Sequence, residues 1–279
     1  MLGTDVQAVA RTGGHEVVAL SHADLNVADV DAVDAAIRAA RPDAVINCAA
    51  YTDVDGAEGN GRDAAYAVNS AGAANMALAT ASAGAWLIHV STDYVFDGTK
   101  TTGPYVESDP TRPRSVYGAS KLDGELAVAA AAPGSHTIVR TSWLFGNHGP
   151  CFPATMMRLA RQREQLCVVD DQRGCPTFTP HLAQALLRLA VTEQRPLGVV
   201  HVAGAGECTW FEFARQIVID FGVEATVKAC RTTDCPRPAK RPAYSVMRSE
   251  RRGEAPVLAH WREGLRDYAE AAVALEMTS

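Results

Sequence analysis

Trp86-Leu-Ile-His-Val-Ser-Thr-Asp-Tyr-Val-Phe96 runs an apolar stretch straight into a polar, aromatic turn. Residues 86–90 read as a buried strand, because short apolar runs bounded by turn residues have strand length. Similar runs recur at 16–20, 44–47 and 137–141, separated by Ala-rich helical segments at 29–40, 62–83 and 116–131. Strands alternating with helices imply right-handed βαβ crossovers and a parallel sheet wound on both faces. Such sheets bind ligands beyond the carboxyl ends of their strands. Three motifs fall there: Asn47-Cys-Ala-Ala-Tyr-Thr52, Ser91-Thr-Asp-Tyr-Val-Phe96 and Arg140-Thr-Ser-Trp143.

The second half is less regular. Segments 151–163, 180–192 and 210–221 read as helices, 166–169 as a short strand, and a closing helix starts near Trp261. The predicted architecture is α/β: a Rossmann-like doubly wound parallel sheet over residues 1–145, then a smaller C-terminal substrate-binding lobe over 146–279 with elements returning to the sheet. Residues 231–252, rich in Pro and Arg, read as ordered loop. Their basic side chains are either a solvated surface or, through Arg241 or a neighbour, a diphosphate clamp.

The start departs from a dinucleotide fold, which needs a first strand and a Gly-rich turn before its first helix. Here Met1-Leu-Gly-Thr-Asp-Val-Gln-Ala-Val-Ala10 already reads as that helix. Only Gly3 is available for the turn, so the first strand and most of the glycine turn are missing from the expected pattern.

Bulk properties narrow the function class. The chain has 279 residues, is 47% hydrophobic and carries a formal charge of −6, which gives no support to nucleic acid as a partner. No apolar run is long enough to span a membrane. Seven cysteines without Cys-x-x-Cys, and no visible signal peptide, fit reduced thiols in a cytoplasm. The histidines show no zinc-ligand spacing, and the acidic run Asp53, Asp55, Glu58 lacks a calcium-loop pattern, so no metal is expected and helix entry is the reading of that run.

Ser115-Val-Tyr-Gly-Ala-Ser-Lys121 carries the chemistry. Tyr117 and Lys121 sit one helical turn apart on one face. A lysine ammonium beside a phenol favours the phenolate and lowers its pKa from about 10, which suits proton donation to a carbonyl.

With these segments assembled, the chain resembles the extended short-chain dehydrogenase/reductases and, among them, the dTDP-4-dehydrorhamnose reductases. The matching segments include Ala49-Ala-Tyr-Thr-Asp-Val-Asp-Gly-Ala-Glu58, His89-Val-Ser-Thr-Asp-Tyr-Val-Phe-Asp-Gly98, Val139-Arg-Thr-Ser-Trp-Leu-Phe-Gly146, Asp171-Gln-Arg-Gly-Cys-Pro-Thr177 and Arg237-Pro-Ala-Lys-Arg-Pro-Ala-Tyr-Ser245. The resemblance implies NADPH- or NADH-dependent reduction of the 4-keto group of dTDP-4-dehydro-6-deoxy-L-mannose to dTDP-L-rhamnose in the cytoplasm, by a monomer or homodimer. It implies Thr92, Tyr117 and Lys121 as the catalytic triad. It places Gly3, Asp24, Leu25, Ala50, Tyr51, Thr52 and Val90, with Tyr117 and Lys121, along the cofactor. It places Val54, Thr92, Asp93, Tyr117 and Trp143 around the sugar, Trp143 as a flat apolar wall. The metal-binding glutamates of some relatives would fall near Asp5 and His181, so no metal is carried over. Two rival readings are a reductase of another keto sugar and a non-catalytic regulatory homologue.

Overall fold

The computed structural model describes residues 1–278. The chain opens with helix α1 (Leu2–Thr12) and α2 (Val30–Ala40), the latter capped by Asp29, whose carboxylate accepts from Ala32 N–H at 3.0 Å. Strand β1 (Ala44–Asn47) follows. Then α3 (Arg62–Tyr66) runs through a π turn (Ala67–Ala71) into α4 (Gly72–Ser82). Next come β2 (Trp86–Thr92), α5 (Val116–Ala131), capped by Ser115, and β3 (His136–Thr141). The second half holds β4 (Leu144–Phe145), α6 (Phe152–Ala160), β5 (Gln165–Val169), β6 (Arg173–Gly174), β7 (Thr177–Phe178) and α7 (Thr179–Val191). It closes with β8 (Gly198–His201), β9 (Cys208–Thr209), α8 (Trp210–Asp220), β10 (Thr226–Cys230) and α9 (Trp261–Thr278).

Strands β1, β2, β3 and β8 form one parallel sheet in the order β1-β2-β3-β8. Strand alternation builds both layers. Leu87 and Ile138 pack with Ala73, Ala77 and Val128 of α4 and α5 on one face. Ile88 and Val139 pack with Leu2, Leu182 and Leu186 of α1 and α7 on the other. Gly124 lets α5 close on the π turn, since a Cβ there would lie 2.1 Å from the Asn69 carbonyl oxygen. A separate core of Phe145, Leu166, Phe178, Phe213, Ile217, Trp261 and Leu265 joins β5, paired in parallel with β10, to α8 and α9. Among the described residues no helix is long and apolar enough to cross a membrane.

The structure corrects one expected strand. Residues 16–20 form no ladder, and Val18 and Leu20 are 60% and 48% exposed. A strand exists only by pairing, and among the described residues no segment lies alongside this one to accept its backbone bonds. β8, by contrast, is absent from the sequence reading: Gly198-Val-Val-His201 is too short an apolar run to separate from loop.

Candidate active site

Strand ends β1 and β2 meet the first turns of α5 and α1. Asn47 closes β1, its side-chain oxygen accepting from Ala49 N–H at 3.0 Å. That bond fixes the carboxamide, so its NH2 faces His89 Nδ1 at 3.2 Å. Burial drives His89 well below its ordinary pKa, with help from Lys121. The neutral ring therefore carries its proton on Nε2, facing Lys121 Nζ at 3.5 Å. Two donors facing each other do little for the ammonium. Its strong acceptor is the Val90 carbonyl at 2.7 Å. Lys121 is 1% exposed, and burial pushes it down to about 8, against the pull of Glu125 and Cys48.

Asn69, in the π turn, is a residue beside the site that sequence reasoning missed. Its side chain accepts from Tyr51 N–H at 2.8 Å, and donates to Tyr51 C=O at 3.2 Å and to Ser120 Oγ at 3.0 Å. Ser120 Oγ donates in turn to Tyr117 C=O at 2.8 Å. One amide thus ties the loop after β1 to the Tyr117 helix. The only signal was an asparagine, a poor helix former, inside an Ala-rich helix; a π turn, common at functional sites, has no sequence period.

Thr92 ends β2. Its hydroxyl donates to Asp93 Oδ1 at 3.1 Å and accepts from Tyr94 N–H at 3.2 Å. The Tyr117 ring meets Tyr94 edge-on at 5.5 Å. Burial pushes the Tyr117 phenol up to about 12, the Thr92 hydrogen bond opposing and Asp93 adding. This corrects the expectation that Lys121 lowers it: the ammonium is engaged with Val90 instead. The phenol is protonated at neutral pH, the form of a proton donor. Asp93 is 2% exposed, one carboxylate oxygen has no partner, and burial raises it to about 6, opposed by Ser245 and Thr92.

Trp143, after β3, adopts a left-handed φ of 47°, a strained value for a bulky residue. Its indole stacks on Trp210, with centroids 3.6 Å apart and planes 6° from parallel. Gly174 lies against it, since a Cβ there would come within 2.5 Å of its Cε2. Trp210 thus covers one face of the Trp143 indole.

The loop after Tyr51 is held by its acids. Asp53 caps Gly56 N–H at 2.9 Å, and Glu58 accepts from Val116 N–H, at the start of α5, at 2.8 Å. Asp55 takes both arms of Arg241, at 3.0 and 2.8 Å, and Ala239 N–H at 3.1 Å. Arg241 is thus a clamp on this loop. Val54 sits half-buried in the same loop, Ala50 is half-buried and Thr52 exposed. Leu25 packs with Val33, Ile37 and Met76 beside β1, while Asp24 is exposed and accepts from Ser21 Oγ at 2.6 Å, which holds its carboxyl low.

These residues fit a dinucleotide. Small residues line the end of β1, and Gly3 lies over it, where a Cβ would stand 3.8 Å from Cys48 Cβ. That brings the uncapped first turn of α1 to the strand end, where backbone N–H groups suit a pyrophosphate. Asp5 meets His148 at 3.5 Å and His181 meets Asp267 at 2.8 Å. Among the described residues no larger group of His, Cys, Asp and Glu is arranged to hold a metal.

The family described as the RmlD substrate binding domain matches residues 1–273. The spore coat polysaccharide biosynthesis protein SpsK of Bacillus subtilis is 41% identical, over 96% of this chain and 93% of its own. The dTDP-4-dehydrorhamnose reductase of Mycolicibacterium smegmatis is 42% identical, over 98% and 83%. The dTDP-4-keto-6-deoxy-D-glucose reductase of Streptomyces niveus is 40% identical, over 95% and 92%. Among solved structures, the dTDP-4-dehydrorhamnose reductase of Clostridium acetobutylicum superposes with a TM-score of 0.93 at 38% identity, over 98% of this chain and 96% of that one. The Bacillus anthracis reductase, in complex with NADP, superposes with a TM-score of 0.92 at 36% identity, over 97% and 95%.

Proposed function

Because this chain belongs to the RmlD substrate binding domain family, we propose that it is an oxidoreductase reducing the 4-keto group of dTDP-4-dehydro-6-deoxy-L-mannose to give dTDP-L-rhamnose. The observation that carries this reading is the convergence of Thr92, at the end of β2, with Tyr117 and the buried Lys121 one turn apart on α5, where Lys121 Nζ donates to Val90 C=O at 2.7 Å. It works as a cytoplasmic monomer or homodimer. Residues 1–145 carry the cofactor side and 146–279 most of the sugar side.

The cofactor, NADPH or NADH, supplies hydride when bound. Gly3, Asp24, Leu25, Ala50, Tyr51, Thr52, Val90 and Lys121 hold it along the strand ends. Tyr117 donates its phenolic proton to the keto oxygen as general acid. The Thr92 hydroxyl, positioned by Tyr94 N–H, turns its single proton from Asp93 to that oxygen as charge grows on it. Lys121 stands behind Tyr117 and orients the nicotinamide ribose. Asp93 takes a sugar hydroxyl with its unpartnered oxygen, and Val54 and the Trp143–Trp210 stack bound the deoxysugar.

Mixing the purified chain with NADPH and this keto sugar tests the reading. Absorbance of the reduced cofactor should fall only with sugar present, and dTDP-L-rhamnose should accumulate. Cofactor binding without turnover would leave the regulatory reading. The similarity to the Streptomyces niveus enzyme supports a second reading, reduction of a different dTDP-4-keto-6-deoxysugar, which running both keto sugars side by side separates.

A further inference from the structure

Three thiols lie together on the β5–β10 pair, away from the strand ends. Cys167 is on β5, Cys230 ends β10, and Cys235 follows the short turn Thr232–Asp234. In the parallel pairing Cys167 stands opposite Lys228, and Val169 opposite Cys230. Opposed residues share a sheet face, as do residues two apart. Cys167 and Cys230 therefore project from one face, with the exposed Gln165 and Thr226. Cys230 Sγ lies 3.9 Å from Cys235 Sγ. Cys167 and Cys235 are exposed and Cys230 half-buried.

The turn between Cys230 and Cys235 is already closed. Arg231 N–H donates to the Asp234 carboxylate at 2.8 Å, Asp234 N–H to Arg231 C=O at 3.0 Å, and Cys235 N–H to Thr232 C=O at 3.1 Å. Asp171 accepts from Thr232 N–H at 3.0 Å and from its hydroxyl at 2.6 Å, which anchors the turn to the segment before β6. The loop-closure entropy of joining these sulfurs is thus largely met by the fold. They need only approach from contact to about 2.05 Å, a movement open to the exposed Cys235 side chain.

We propose that Cys230 and Cys235 are a redox modification site that forms a reversible disulfide by exchange with a low-molecular-weight disulfide. The exposed Cys235, as thiolate, attacks one sulfur of the small disulfide. That S–S bond breaks, and one small thiolate leaves with the electron pair and takes up a proton. Cys230 then gives its proton to solvent and attacks Cys235 Sγ, expelling the second small thiolate, which is also protonated. The two cysteines lose two electrons and two protons, and the small disulfide becomes two thiols. Burial and hydrogen bonds with Cys167 and Cys235 push Cys230 up to about 12, so ring closure is the slow step and quickens as pH rises.

The sequence provides its own assay, because Arg231 lies between the two cysteines. The full chain is incubated with oxidised glutathione, alkylated and cut with trypsin, which separates residues 229–231 from 232–240. The expected result is these two peptides joined until reductant is added, with Cys167 alkylated. Cys230→Ser should abolish the link and leave a persistent glutathione adduct on Cys235. Alkylation of both peptides, glutathione adducts alone in the unmutated chain, or a link through Cys167 would each overturn the proposal.

Discussion

Lys121 and Glu125 lie one turn apart on α5, at 1% and 3% exposure, yet their surroundings are opposite. Glu125 is saturated. Arg140 reaches it with Nη2 at 2.6 Å and Nε at 2.9 Å, and Ser91 donates a hydroxyl at 2.5 Å. Lys121 has the Val90 carbonyl and little else, while nearby Asp93 leaves an oxygen unpaired. Both clusters join β2 to α5. The Glu125 cluster pairs both carboxylate oxygens, with Arg140 Nη1 left without a partner among the described residues, and holds strand and helix at a fixed spacing. The unsaturated one keeps groups poised near their titration points, the usual signature of a working site.

The sharpest way to separate the two is Tyr117→Phe. It should lower kcat by ~10²–10⁴, the scale of general acid catalysis, and leave the urea midpoint where it was. Equal loss of activity and stability would erase the distinction between the clusters. Glu125→Ala should do the reverse. Stranding a buried Arg140 is expected to remove about 3–5 kcal/mol of stability, read from urea unfolding, while replacing both partners by apolar residues should restore much of it.

Asp93→Asn comes next. Asp93 is raised to about 6 in the folded chain, against about 3.9 unfolded. Between those values the folded chain retains a proton that the unfolded chain has lost, so stability falls as pH rises through this window. The amide should remove that slope and add up to about 3 kcal/mol at neutral pH, while KM for the keto sugar rises. A variant with an unchanged slope would place the titration elsewhere. The smallest effect is expected from Arg241→Ala. The half-buried pair with Asp55 is worth about 1 kcal/mol, and its loss should loosen the Val54 loop and raise KM a few-fold without changing kcat. A KM rise that Asp55→Asn fails to reproduce would return Arg241 to the substrate diphosphate.

Much of the sheet was legible because strand and helix periods differ, and β1, β2 and β3 each have a short apolar core. The exception at residues 16–20 shows the limit of that signal: an apolar run states a preference, and a strand needs a neighbour. Thr92, Tyr117 and Lys121 were legible from spacing and motif order. Asn69 and Trp210 were not, because each acts through a partner remote in sequence, Tyr51 and Trp143. The partner of Arg241 was not legible for the same reason, since nothing near it in sequence announces Asp55.

By itself the sequence determined the order of layers and the residue types brought to the strand ends, because periodicity and helical spacing are local properties of a chain. Only the tertiary structure decided their charge states. It placed a half-buried Tyr117 near Thr92, turned Lys121 to the Val90 carbonyl, left Asp93 half satisfied and gave Arg241 to Asp55. Desolvation and hydrogen bonding depend on what is packed around a group, and that packing comes from segments far apart in the chain.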